Sequence, residues 1–193
     1  MATFATLKAD IAAWARRSDL TAVIPSFVAL AEVEIYRTHN PPLRVRQMET
    51  EADLTVTALA ATVPANYLAA RYIKLDNADQ TTILYVTPDN FNPYKTGFFT
   101  VVGDEIRLPQ GVSSPLKLVY LAQPAALSGD ADTNDVLDNY YGIYLAASLK
   151  FASFYVKDFG AADNFQAQLS TFIIGAAANN KSVAAGPLTV KTA

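Results

Sequence analysis

The chain has 193 residues, 51% of them hydrophobic and only 17% charged, with a formal net charge of -3 and a mean hydropathy of +0.15. That length suits one domain, or one domain with a sizeable insertion, and it can bury a core without disulfides or metals. The negative balance argues against a general nucleic-acid binder, and the lack of cysteine removes disulfides, thiolate nucleophiles and zinc–thiolate sites. So few charges beside so much apolar matter predict more apolar surface than a free monomer carries, as in a subunit of an assembly, with a monomer of unusually large core as the alternative. No run approaches a membrane span and the first residues are amphipathic rather than a signal sequence, so a soluble protein made in a cytoplasm is expected.

In chain order, Phe4, Leu7, Ile11 and Trp14 fall on one stripe of an opening helix, with Lys8 and Asp10 off it. Arg16 and Arg17 are expected in its last turn, where cations complement the helix dipole. Ser18 and Asp19 offer stop and cap chemistry, and Pro25 suits the first turn of a second helix that runs to His39. Its buried face is expected to be Ile24, Phe27, Leu30, Ala31 and Ile35, with Glu32, Glu34 and Arg37 in water. Asn40, Pro41 and Pro42 end it, and the short link between the two helices predicts an antiparallel hairpin.

From Leu43 the period changes to two, so Arg44, Arg46 and Met48 are expected on one face of a strand, with a further extended run over Leu54, Thr55 and Val56. Ala58 to Ala65 reads as a loop or ragged strand. Residues 72–75 and 83–86 read as a hairpin around a turn at 76–79, and Thr87-Pro88-Asp89-Asn90-Phe91 as a short helical turn. Strands at 98–102 and 105–108 flank Gly103-Asp104, a two-residue hairpin signal, and 116–122 is the last strand. Leu137 to Phe159 is apolar over most of a helical circumference, which predicts a hub buried on more than one side. Gly160 is expected to break it and Asp163 to cap a fourth helix carrying Phe165, Leu169, Phe172 and Ile173. The fold class expected is α+β: residues 1–42 and 134–179 form a helical bundle, 43–125 an inserted, mostly antiparallel β-rich subdomain, and 180–193 an extended C-terminal tail.

The series WARRSDLTAVIPSFVALAEVEIYR, RVRQMET, VPANYL, YVTPDNF, TVVGDEIRLP, LVYLAQPAALS and NYYGIYLAASLKFASFYVKD resembles the adaptor, or head-to-tail connector, proteins of tailed bacteriophages, in particular the podovirus-type adaptors. The resemblance covers roughly Phe4 to Asn179 and rests on the order of the motifs. It implies a virion protein without enzymatic activity, in a ring of subunits expected to be dodecameric. The ring would sit beneath the portal protein, carry tail (nozzle or fibre) proteins and pass DNA through its channel without binding it specifically.

Residue chemistry agrees in assigning no catalytic, cofactor or metal site. His39, the one histidine, sits at a helix end, where it suits exposed carbonyls and leaves any acid–base triad a single base. Asp130-Ala131-Asp132-Thr133-Asn134 matches the first half of a calcium loop, but Asp135 takes the glycine position and Tyr141 the distal glutamate position. An acidic start to the hub helix explains these carboxylates with less effort. Arg44 and Arg46 are candidates for bidentate pairing with a neighbouring subunit or the portal, against a solvated or salt-bridged face. Phosphate contact ranks below both, since a conduit that gripped DNA would brake it. Tyr140, Tyr144 and Tyr155 are core residues whose hydroxyls reach the edge, or lie between subunits, where aromatics are enriched. The tail with Lys181 and Lys191 is the segment expected to dock on a partner. Two other classes stay open: a virion-associated enzyme, and a cytoplasmic regulatory or nucleic-acid-binding domain.

Overall fold

The computed structural model describes residues 1–75, 81–112 and 115–184, with side chains through residue 179. The chain is mixed α and β and divides into two compact units, Met1–Gln47 with Pro124–Ala193, and Met48–Gln123.

In the first unit, α1 (Phe4–Ala15) opens with a reciprocal cap: the Thr3 hydroxyl accepts from the Thr6 N–H at 3.3 Å, and the Thr6 hydroxyl accepts from the Thr3 N–H at 2.9 Å. Phe4, Leu7 and Ile11 are buried as expected, but Trp14 is exposed. The helix stops at Ala15, Arg16 turns into the left-handed region at φ 51°, and Leu20 of the following turn takes the buried place instead. Arg16 and Arg17 therefore follow the last turn rather than belonging to it.

The second helix, α2 (Ile24–Val33), has Pro25 in its first turn and continues as a π-helical turn over Glu34–Thr38. The buried face is wider than expected and rotated: Val28, Glu32, Glu34 and Tyr36 are inside, and Leu30 is half-exposed. The extra residue per turn in the π segment accounts for Glu34 and Tyr36 turning to the core, while Glu32 follows Val28 one α-helical turn on.

The expected hub helix is two elements. Asn134 accepts the Leu137 N–H at 2.8 Å and starts α3 (Asp135–Asn139), and Tyr140 at φ -132°, ψ 43° separates it from α4 (Tyr141–Tyr155). Lys157, at φ 62°, closes α4, and the Asp158 carboxylate accepts the Ala161 N–H at 3.0 Å to start α5 (Phe159–Ala184). Asp158 thus does what was expected of Asp163, and Gly160 lies inside the first turn of α5, where glycine costs little. Helix α4 packs against α1, α2 and α5. Its approach to α5 is close: a Cβ at Gly142 would lie 3.3 Å from the Phe172 ring. Helix α5 runs to Ala184, past the expected start of the tail at 180; the Lys181 side chain and Lys191 lie outside the described residues.

The second unit is a seven-stranded sheet: β1 (Glu49–Leu54), β2 (Ala60–Thr62), β3 (Tyr67–Leu75), β4 (Thr82–Tyr85), β5 (Phe98–Val102), β6 (Glu105–Arg107) and β7 (Leu116–Ala122). Their order is β1-β7-β3-β4-β5-β6-β2, antiparallel except for β4 beside β5. The strand expected from Leu43 begins only at Glu49. Leu43 and Val45 are both buried and 46–48 form a 3-10 turn, which a half-exposed strand of period two cannot accommodate. The ragged stretch 58–65 holds β2, entered through left-handed Ala58 and Leu59 with Thr57 bridged to Ala60. Gly103, at φ 62°, makes the β5–β6 hairpin turn. The turn expected at 76–79 lies outside the described residues. Ile73, Ile83, Phe99, Ile106, Leu118 and Tyr120 form the heart of the core.

Candidate functional site

Two features of the first unit stand out: a polar cluster inside it and an aromatic corner on its surface. The polar cluster joins α2 to α4. Glu32, 6% exposed, accepts the Leu127 N–H at 3.2 Å and the Tyr144 hydroxyl at 3.5 Å. Tyr144 also lies 2.8 Å from the Tyr36 hydroxyl and accepts from the Asn134 amide at 3.0 Å. Burial pushes the Glu32 carboxyl up to about 6, against the opposing pull of the Leu127 N–H and Tyr144. Burial, reinforced by the negative neighbours, likewise raises both phenols above their ordinary value. One turn on, Lys150 donates to Glu34 at 2.5 Å, both side chains nearly buried, while the other Glu34 carboxylate oxygen has no partner.

The aromatic corner is built where helices end. Trp14 at the end of α1, Tyr155 at the end of α4 and Phe159 at the start of α5 are 63%, 59% and 60% exposed. Tyr155 packs at 5.4 Å on Phe27 and Phe159 at 6.2 Å on Phe154, so these rings are held by neighbours yet face solvent. Beside Trp14 lies a cleft of about 230 Å³ whose walls include Trp14, Arg17, Leu149, Val156, Asp158 and Phe165. Arg16, Arg17 and Lys157 are exposed at these helix ends, with two carboxylates beside them: Asp19, paired with Arg17 at 2.6 Å, and Asp158 in the cleft wall. Trp, Tyr and Arg, all exposed at these helix ends, are residue types enriched at protein interfaces.

The residues singled out from sequence fare differently. Arg44 is half-buried and donates to the carbonyls of Tyr36 and Leu43 at 2.9 and 2.7 Å, closing the π-turn. Burial, with Arg37 nearby, lowers its guanidinium from the ordinary value. It caps backbone carbonyls of its own chain. Arg46 stands exposed on the 3-10 turn, so the two arginines do not share a strand face. Tyr144 is fully buried in its own chain and cannot reach a neighbour. Tyr140 is half-buried with its hydroxyl donating to Gln47 at 3.3 Å, and Tyr155 is in the exposed corner. His39 bonds the Pro41 carbonyl at 2.8 Å and the Ser170 hydroxyl at 3.1 Å, the helix-end place expected of it.

The calcium-loop lookalike is spent on folding. Asp132 accepts from the N–H groups of Gly129 and Ser128, which hold its carboxyl below the usual range, and Asp130 pairs with Lys8. Among the described residues no group of acidic or histidine side chains could hold a metal ion, and no helix is long and apolar enough to cross a membrane.

Sequence reasoning missed Glu32 as a buried group. The signal was present in its helical neighbours four residues away, Val28 and Tyr36, both buried. It also missed the exposure of Trp14, which continues the stripe of Phe4, Leu7 and Ile11 but stands one residue before the helix ends at Ala15.

The first unit thus carries large aromatic side chains at its surface and commits its polar groups to structure. Residues 2–191 match the family described as SU10 adaptor protein, and the chain belongs to that family of structural phage adaptors. No curated protein matches it.

Proposed function

We propose that the chain is the subunit of an adaptor ring between the capsid portal and the tail, of the podovirus type and dodecameric. The ring keeps a channel open for DNA and docks tail components, nozzle or fibre, on its far side. The observation that carries this reading is the family match over nearly the whole chain. The exposed aromatic corner supports it, because a free monomer has no use for such a surface. The net charge of -3 suits a wall that DNA slides past rather than adheres to.

Arg46, Tyr140 and Tyr155 are the contacts with a neighbouring subunit or the portal, and the segment beyond Ala184, with Lys191, docks on the portal. Lys181, on the last turns of α5, would help to present that segment. Arg44 and Tyr144 drop out of the proposal for the reasons above.

The test is the native mass of the purified protein, alone and mixed with the portal of its virus. A closed many-subunit complex in either condition supports the ring, and a monomer in both rejects it. Truncation after Ala184 should leave the fold intact and weaken portal binding; unchanged affinity would remove the tail from the docking surface.

A further inference from the structure

The first unit has two ends of opposite charge. Helix α1 begins at the acidic loop, since the N–H groups of Phe4 and Ala5 bond the carbonyls of Asp132 and Asp130 at 2.8 and 3.0 Å. Asp135 and Asp138 follow in the first turn of α3, and Ala2 donates to Asp138 at 2.9 Å. Against these carboxylates stands Lys8, which is paired with Asp130. Twelve residues of α1, about 18 Å at 1.5 Å per residue, separate this end from the corner where α1 and α4 both finish. There the surplus is cationic, from Arg16, Arg17 and Lys157 against Asp19 and the capping Asp158.

Helix dipoles account for part of this pattern, because anions suit helix starts and cations suit helix ends. They do not account for three large aromatic rings left in water among the cations. A surface that is apolar at its centre and charged at its rim is suited to a partner of opposite charge. The chain carries such a charge itself, at its other end.

We propose that the Trp14–Tyr155–Phe159 corner of one copy receives the Asp130–Asp138 end of the next copy. The contact is heterologous: each subunit uses a different surface toward each neighbour, so it can repeat around a closed ring. This inference rests on the ring reading and assigns its subunit contact. Association follows from the apolar corner, while the charges set direction and exclude the two like-charged pairings, corner to corner and acidic end to acidic end.

Trp14 is the one tryptophan in the chain and reports directly. Its emission should shift to the blue when the wild-type protein assembles, alone or with the portal. The variant Arg16→Glu/Lys157→Glu should associate at least about tenfold more weakly, as should Asp135→Lys/Asp138→Lys, because each puts like charges in contact. An equimolar mixture of the two variants should recover assembly, since each supplies the end the other's corner now needs. Added salt should weaken the wild type. All substituted residues are exposed, and thermal melting of each variant checks that folding is kept.

Assembly of both variants at wild-type strength, or assembly without a blue shift, overturns the contact while leaving the ring standing. So does a corner variant that still closes with itself but loses the portal, which would make the corner a portal surface. A wild type that assembles in neither condition overturns both the contact and the ring.

Discussion

The two units handle their charges in opposite ways. In the sheet, Glu49, Glu51 and Asp53 alternate along edge strand β1 and meet Arg71, Lys74 and Lys117 in open solvent. Glu49 and Glu51 pair with β3 residues across β7, where they stand beside Leu121 and Val119, both buried. Charge on an edge strand also blocks unwanted strand pairing. In the helical unit the polar groups go inside and the rings go outside. Glu32, Glu34, Tyr36, Tyr144 and Lys150 sit between α2 and α4, while Trp14, Tyr155 and Phe159 face water. The sheet keeps its charge pairs in solvent, although it too exposes large side chains, Leu84, Tyr85 and Tyr94 among them. The helical unit spends its polar chemistry on fixing the register of α2 against α4.

The sharpest way to break this contrast is Lys150→Met. It would strand a nearly buried Glu34 carboxylate that already has one unpartnered oxygen, at a cost of about 3–5 kcal/mol. Denaturant unfolding measures it, and Glu34→Leu/Lys150→Met should recover most of the loss. A cost below about 1 kcal/mol would mean that the pair is solvated like those of the sheet. Tyr144→Phe comes next. It removes one hydroxyl and leaves the Asn134 amide, the Tyr36 hydroxyl and Glu32 each short of a bond, for about 1–3 kcal/mol. A neutral result would mean that water replaces the hydroxyl.

How far the sequence foretold these regions follows from what sets them. The strands at 98–102, 105–107 and 116–122 were legible because their apolar positions and the Gly103 turn are local signals. The α4 helix was legible because no polar face interrupts it. What failed depended on partners far along the chain. Whether Glu34 is wet or buried is decided by Lys150, and whether Arg44 extends outward is decided by the Tyr36 carbonyl at the end of a π-turn. The break at Tyr140 has no proline or glycine to announce it. The corner was half legible: FYVKDF gave the rings, but their exposure depends on where α1 and α4 stop, and left-handed Arg16 and Lys157 fix those stops without the usual glycine.

Glu32 sharpens the contrast through pH. Its folded-state value of about 6 lies above the ordinary 4.5, so the folded protein binds this proton more readily than the unfolded chain. The charged carboxyl therefore weakens the fold above pH 6, and that penalty lifts as pH falls from about 6 toward 4.5. Glu32→Gln keeps an oxygen for the Leu127 N–H and carries no charge. It should raise stability at pH 7 by about 1 kcal/mol, and flatten the difference between unfolding curves at pH 7 and pH 5. An unchanged pH profile would show that the carboxyl is hydrated in solution.

The smallest effect belongs to the sheet. Lys74→Ala removes an exposed pair with Glu51, and exposed pairs contribute about 0–1 kcal/mol. The loss should shrink as salt is raised, because solvent charges screen an open pair. It will not vanish if the lysine stem shelters Val119 and Leu121, since that part of its contribution is hydrophobic and salt leaves it in place. Lys74→Met separates the two: it keeps most of the stem and drops the charge. If Met restores wild-type stability at high salt, the residues along β1 and β3 act chiefly as a roof over β7. If it does not, the ion pair itself holds the edge, and the sheet depends on electrostatics more nearly as the helical unit does.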